Sequence, residues 1–389
     1  MIPRVLRAFV WLMSALAVVA YVFLAGRRLL QPALDPGEGA ILEVATRLAQ
    51  GGSAYLDPTV ATATPVMPGF PFVVSLLARR FGPHLWEPRL IAVLALLGVA
   101  ALALAAVRRE TDNWTPAVAS AGFVLMGCGL IVESPGIARP EALMLLLALL
   151  ALFTLRVRQG PWGLLLSGAL FAAAFLTHPL ALWFAAAAMF SLALEDRGRL
   201  LAFAAGIAVL CGGGYVAASQ LLGPWFNYFA WDQPLGALRF VPMGPLHYMG
   251  DQLLGRLGVL TLAAVMSFAL PVQPWRGRGG LWMCMGIAAL AAGMLATQSA
   301  RFGGPALIPS VVALALIGPI SIQRVTRHLS AWPGSSRLGG QGVVLAALTL
   351  QFIMFLSCVE PALLDAGVRA PAHAAGVADP PAAVAPAGN

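Results

Sequence analysis

The chain contains no lysine. All 24 of its basic residues are arginine, Asp and Glu together number 16, and charged residues make up only 10% of 389. A soluble domain carries about 25%, so an ordinary water-soluble globular protein is excluded. The arginine-only usage reads as the codon bias of a GC-rich bacterial genome. Cysteine is scarce as well. Cys128, Cys211, Cys284 and Cys358 lie inside or at the end of apolar runs. None has metal-ligand spacing, which leaves them as core thiols. The net charge of +8 would suit a nucleic-acid partner, but no basic cluster with interleaved aromatics exists. No stretch reads as a separate soluble domain or as an internal repeat.

What is present is apolar sequence, at 60% hydrophobic residues. Runs long enough to span a bilayer recur at about 8–25, 89–107, 115–133, 141–155, 162–176, 178–194, 200–222, 257–274, 281–298, 303–322 and 340–358. The first follows Arg4 and Arg7 and is long enough to be an uncleaved signal anchor. A further run, Pro68 to Leu77, is short, carries Pro68, Gly69 and Pro71, and ends at Arg79-Arg80. It reads as a helix lying in the membrane interface rather than as a span.

The arginines decide between the two readings of that run. Cytoplasmic loops are rich in basic residues. With eleven spans and a cytoplasmic N-terminus, thirteen arginines and four acids fall inside, and eleven arginines and twelve acids fall outside. Making Pro68–Leu77 a span would flip every later loop and put most arginine pairs outside. The expectation is therefore an all-α, polytopic membrane protein of about eleven transmembrane helices. Its long outer loops cover 26–88 and 223–256, and an Ala/Pro-rich disordered tail covers 359–389. The first loop carries a second amphipathic stretch, Glu38 to Gln50. Ile41, Val44, Ala45 and Leu48 share one of its faces, and Glu43 and Arg47 stand at i,i+4. Two interfacial helices are thus expected in this loop.

Against so apolar a background the few carboxylates stand out, because charge near a bilayer usually has a functional reason. Asp35 and Glu38 follow the first span, and Glu141 in Arg139-Pro140-Glu141 precedes the fourth. All lie on the outer side in this topology. Each also reads as a helix-start signal: acids in a first turn complement the helix dipole, and Pro140 suits a first helical position. The second outer loop holds Trp231-Asp232-Gln233-Pro234, Arg239 and His247-Tyr248, aromatic-rich but without a motif.

The order of these elements resembles the integral-membrane glycosyltransferases of the GT-C fold, in particular the branch containing aminoarabinose transferase and protein O-mannosyltransferases. The matching segments are Glu38 through Gly51-Gly52-Ser53-Ala54-Tyr55, then Pro65-Val66-Met67-Pro68-Gly69-Phe70-Pro71 closing at Phe81-Gly82, and Pro88-Arg89-Leu90. Arg139-Pro140-Glu141, Thr177-His178-Pro179 and Arg301-Phe302 with Pro305 and Pro309 follow. The likeness covers about residues 8–322. It implies transfer of a hexosyl or pentosyl unit from a polyprenyl-phosphate donor to an envelope lipid or glycan acceptor, at the outer face of a bacterial inner membrane. It also implies site residues. Glu38 or Asp35 would be the base, with the register to Gly52 favouring Glu38. Glu141, Arg139, Tyr55, His178 and Arg301 would bind the donor. The departures are Gly37 before Glu38, where relatives have an adjacent acidic pair, Glu141 in place of Asp, and His178 in place of Lys. Asp35, Glu38 and Glu141 together offer oxygen ligands for a divalent cation, though no spacing rule demands one. Two rival classes stand beside this reading: a transporter or flippase of lipid-linked substrates, and an assembly subunit with the GT-C scaffold but no catalysis.

Overall fold

The computed structural model describes residues 2–32, 36–59, 67–128, 137–236, 241, 243–269, 280–298, 307–330 and 337–372. Among them the chain is helical throughout its regular structure, without a strand. The helices are α1 (Ile2–Arg28), α2 (Pro36–Ala49), α3 (Gly69–Phe81), α4 (Trp86–Thr111), α5 (Trp114–Met126), α6 (Pro140–Val157), α7 (Pro161–Thr177), α8 (Ala181–Glu195) and α9 (Arg197–Leu221). Short helical pieces α10 (Gln233–Gly236) and α11 (Gly244–His247) follow, then α12 (Gly255–Ala269), α13 (Gly280–Ala296), α14 (Ile308–Ser330) and α15 (Arg337–Ala372).

Leaving out α2, α3 and the two short pieces, the helices fall on the eleven apolar runs in order. Six of them, α1, α4, α6, α9, α14 and α15, are long and apolar enough to cross a bilayer by length and composition alone. The pair Gly244–Asp251 and Gly255–Phe268, bent by 87°, is either a seventh, broken span or a re-entrant loop. α5, α7, α8 and α13 are shorter apolar helices. The bundle is built around α14, whose residues from Val311 to Ile317 are all buried. It contacts α4, α5, α12, α13 and α15. α1 and α9 instead expose long apolar side chains such as Phe23, Leu201 and Val209, as lipid-facing helices do.

The helix starts and stops follow the sequence. Asn113 and Asp196 cap α5 and α9 by accepting backbone N–H groups. Pro140 and Pro161 open α6 and α7. α2 stops at a paired-glycine turn. Gly51 takes φ +77°, Gly51 N–H donates to Leu48 O at 3.1 Å, and Gly52 N–H donates to Arg47 O at 2.8 Å. These are the two bonds of a Schellman stop.

One geometric fact settles the status of α3 relative to the span before it. Arg89 at the start of α4 donates to the carbonyl of Arg28 at the end of α1, at 2.7 Å. Those two ends therefore lie at the same end of the bundle, and the chain between them makes no net crossing. α2 and α3 lie together there, packed through Ile41 and Ala45 against Phe70 and Val74. Two boundaries differ from expectation. The stretch 223–256 contains helical turns at Tyr228–Asp232, Gln233–Gly236, Gly244–His247 and Tyr248–Leu254. The backbone of α15 continues to Ala372, past the expected boundary at 358. Ala362, Leu363 and Leu364 are strong helix formers and carry it on.

Candidate active site

The end of the bundle that holds α2 and α3 gathers segments far apart in sequence. At its centre is Glu38, in the first turn of α2 and 1% exposed. Its carboxylate meets the fully buried guanidinium of Arg89 in a two-point contact. Nε donates to Oε1 at 2.9 Å, and Nη2 donates to Oε2 at 2.7 Å. The same Oε1 accepts the backbone N–H of Ala138 at 2.9 Å. Arg89 donates further to the carbonyls of Arg28, Gln31 and Pro32 at 2.7, 2.6 and 3.0 Å. Fork-to-fork pairing of this kind is short, directional and strong. It binds the end of α1, the start of α2, the start of α4 and the segment before α6 into one unit.

That segment is extended because Arg139 precedes a proline, and its φ −137° and ψ 144° are the conformation Pro140 imposes. Extension is what presents the Ala138 N–H to Glu38. α6 then begins at Pro140, and Glu141 sits buried in its first turn with Oε2 making no hydrogen bond among the described residues. Arg139 stands beside it, half-buried at the helix start.

His178 lies on the turn between α7 and α8 and feels the Glu141 carboxylate. Burial holds its imidazole below the ordinary histidine value, with Glu141 pulling in the opposite direction. Its Nδ1 accepts the Leu180 N–H at 3.2 Å. That bond assigns the proton of the neutral ring to Nε2, leaving Nε2–H as a donor. α3 reaches the same turn from the other side. A Cβ on Gly69 would lie 2.7 Å from the Leu176 carbonyl oxygen and 2.9 Å from the Thr177 nitrogen. The Pro-Gly-Phe-Pro start of α3 therefore lets backbone approach backbone, which only glycine permits.

Tyr55 is buried. Its ring stacks on Phe229 at 5.8 Å and meets Phe226 edge-on at 5.5 Å. Phe226 contacts Tyr215 of α9, and Tyr215 contacts Phe175 of α7, so aromatic rings run from the first outer loop to the last turns before His178. Ser53 Oγ donates to the Leu222 carbonyl at 3.2 Å and joins the segment after α2 directly to the end of α9. Desolvation raises the Tyr55 phenol above its usual value, so it stays neutral.

Glu38, Arg139, Glu141, His178 and Tyr55 thus belong to one end of the bundle. Asp35, Arg301 and Arg239 lie outside the described residues. The structure places Glu38 differently from the expectation of a base: both of its oxygens are engaged with Arg89 and neither faces solvent. For the cation-holding trio of Asp35, Glu38 and Glu141, the Glu38 member is occupied in the same way. Among the described residues no group of three His, Cys, Asp or Glu side chains converges as a metal site. Sequence reasoning passed over Arg89, treating it as the opening of a span. Its signal was available: an arginine at the outer end of an apolar run has no role in topology and so calls for a partner.

No family model matches the chain, and no curated protein matches it. Solved structures do. ArnT from Cupriavidus metallidurans bound to undecaprenyl phosphate superposes with a TM-score of 0.60 at 15% identity, over 90% of this chain and 77% of that one. The oligosaccharyltransferase of Archaeoglobus fulgidus, tethered to an acceptor peptide, gives 0.55 at 13% identity over 92% of this chain. This chain covers 55% of the length of the archaeal protein. The same oligosaccharyltransferase with an inhibitory peptide and a dolichol phosphate gives 0.55 at 12% identity. At such identities the likeness speaks to architecture, and the architecture is consistent across the matches: this chain has the GT-C fold of integral-membrane glycosyltransferases.

Proposed function

We propose that the chain is a glycosyltransferase of the bacterial inner membrane. In this reading it moves a hexosyl or pentosyl unit from a polyprenyl-phosphate donor to an envelope lipid or glycan acceptor, at the outer face. The observation that carries the reading is convergence. Glu38, the Arg139–Glu141 segment and His178 come from three separate parts of the sequence to one end of a GT-C bundle. A solved protein of this fold was crystallised with undecaprenyl phosphate.

The chemistry needs a base to take the acceptor's proton as the sugar–phosphate bond breaks, and donors to stabilise the departing polyprenyl phosphate. We assign the base to Asp35. Glu38 is held by Arg89 and serves to fix the start of α2 against α4 and the segment before α6. Arg139, His178 Nε2–H and Arg301 are the phosphate-side donors, and Glu141 orients His178. Tyr55 closes the first outer loop over the second. A divalent cation is not required by this scheme.

A second reading has its own observation. Gly37 stands where relatives carry the other half of an acidic pair, and Glu38 is committed to Arg89. A scaffold of this fold without transfer activity fits both facts. Purified protein assayed with polyprenyl-phosphate sugars separates the two. Transfer that falls about a hundredfold to ten-thousandfold in Asp35→Asn, with thermal stability unchanged, supports the enzyme. No transfer by the native chain from any such donor, together with unchanged envelope glycolipids and glycans by mass spectrometry in a deletion strain, supports the scaffold.

A further inference from the structure

We propose that an opening at the end of the bundle remote from Glu38 binds the phosphate headgroup of an anionic phospholipid. The opening lies among α1, α5, α14 and α15 and encloses about 540 Å³. That is within the range of small-ligand sites. Its polar lining includes Arg7, Asn113, Thr115, Gln323, Arg327 and Gln341. No carboxylate is among its lining residues.

Three features select an anion. Two other arginines at this end have carboxylate partners: Arg156 pairs with Glu110 at 2.9 Å, and Arg108 lies 3.9 Å from Asp112. Arg7 and Arg327 have none among the described residues, and both side chains are exposed at the opening. Next, Arg327 Nη2 and Gln323 Nε2 both donate to the Thr111 carbonyl at 3.0 Å, which fixes this wall in position. Finally, α5 and α15 both begin here, so the positive ends of two helix dipoles face the space. A neighbouring cavity of about 270 Å³ is a useful contrast. It is lined by Arg156 and Arg199 but also by Glu195, so a carboxylate offsets part of its positive charge.

The lining also favours a lipid over a free anion. Val344 and Leu345 form an apolar wall beside the polar groups. A phosphodiester followed by glycerol and acyl carbons would meet both surfaces, whereas free phosphate would leave the apolar wall wet. Basic pockets between transmembrane helices are where such headgroups bind. The topology proposed above assigns the site to the cytoplasmic leaflet; the site itself does not depend on the transfer activity.

The test is native mass spectrometry of the purified full-length protein incubated with phosphatidylglycerol, phosphatidylcholine or inorganic phosphate. Retention of phosphatidylglycerol over phosphatidylcholine is expected. It should weaken about fivefold in Arg7→Gln and again in Arg327→Gln. Arg4→Gln removes a nearby charge that does not line the opening and should leave retention unchanged. Equal retention of the two lipids, or an equal loss in Arg4→Gln and Arg7→Gln, overturns the proposal. So does variant-dependent binding of inorganic phosphate without lipid retention, which would assign the opening to a soluble phosphate. Arg7 contacts no carboxylate among the described residues, so its variant should fold even if Arg327→Gln does not.

Discussion

At the scale of single residues, the Glu38–Arg89 pair governs the outer end of the molecule. A buried ion pair adds little net stability compared with a well-packed apolar pair, but removing one partner leaves an uncompensated buried charge that costs about 3–5 kcal/mol. Glu38→Ala should therefore lower the melting temperature in detergent steeply, and Arg89→Met in the same background should recover part of the loss. A general base behaves otherwise, since its removal lowers the rate and leaves stability intact. Unchanged melting of Glu38→Ala would reopen the base assignment. His178 gives a second residue-scale prediction. Its folded-state value lies below the unfolded value of about 6.5, because burial disfavours the imidazolium more than Glu141 favours it. The unfolded chain then binds the proton first as pH falls. The stabilisation is complete above about pH 6.5 and is lost as pH drops through the unfolded value and on to the folded one. Protonation also ends the acceptance of the Leu180 N–H. Melting temperature should decline between pH 7 and pH 5 in the native chain, and His178→Gln should show a flatter profile. Parallel profiles would mean that His178 does not titrate in this window.

At the scale of elements, α3 is the piece whose placement depends on one atom. Its first residue, Gly69, lies against main-chain atoms of Leu176 and Thr177, which cannot rotate aside as a side chain can. Gly69→Ala should shift the start of α3 away from the 177–178 turn. The expected cost is about 1–3 kcal/mol, typical of overpacking, with slower transfer if the turn binds the donor. An unaltered melting temperature in Gly69→Ala would show the contact to be looser than it is here. The elements themselves were legible before the structure because each obeys a local rule. The face of Ile41, Val44 and Ala45 is buried, and Arg47 pairs with Glu43 at 2.8 Å, as 3.6-residue periodicity and i,i+4 spacing require. The paired glycines end α2 as helix-stop chemistry dictates. What escaped the sequence was which individual groups bond to each other across about 50 to 100 residues. The union of Glu38 with Arg89 and with the Ala138 N–H is of this kind, since no local pattern records which cation a carboxylate meets in the folded chain. The helical turns between 223 and 256 were missed for another reason. Their short lengths and many glycines and prolines leave no periodicity to read.

At the scale of the whole molecule, the two ends of the bundle differ in chemical character, and this difference makes the orientation testable. One end collects α2, α3, the Glu38–Arg89 pair, the His178 turn and the aromatic contacts between the outer loops. The other collects Arg7, Arg108, Arg156, Arg199, Arg324 and Arg327, and there Glu110 pairs with Arg156 and accepts from Trp282 at 3.4 Å. Because basic residues are retained on the cytoplasmic side, the second end should face the cytoplasm, and residue 137 and the 222–223 turn should face outward. The contact of Arg89 with the Arg28 carbonyl makes this a prediction with few free choices: once the end of α1 is outside, the start of α4 must be outside too. The check uses a chain with its four cysteines replaced and single cysteines introduced at 137, 223 and 113. In intact cells with a permeabilised outer membrane, an impermeant maleimide should label 137 and 223 and leave 113 unmodified until the inner membrane is opened. Labelling at 113 alone would invert the molecule. The Glu38 end would then face the cytoplasm, away from any donor presented on the outer leaflet, and the proposed outer-face transfer would fail with it.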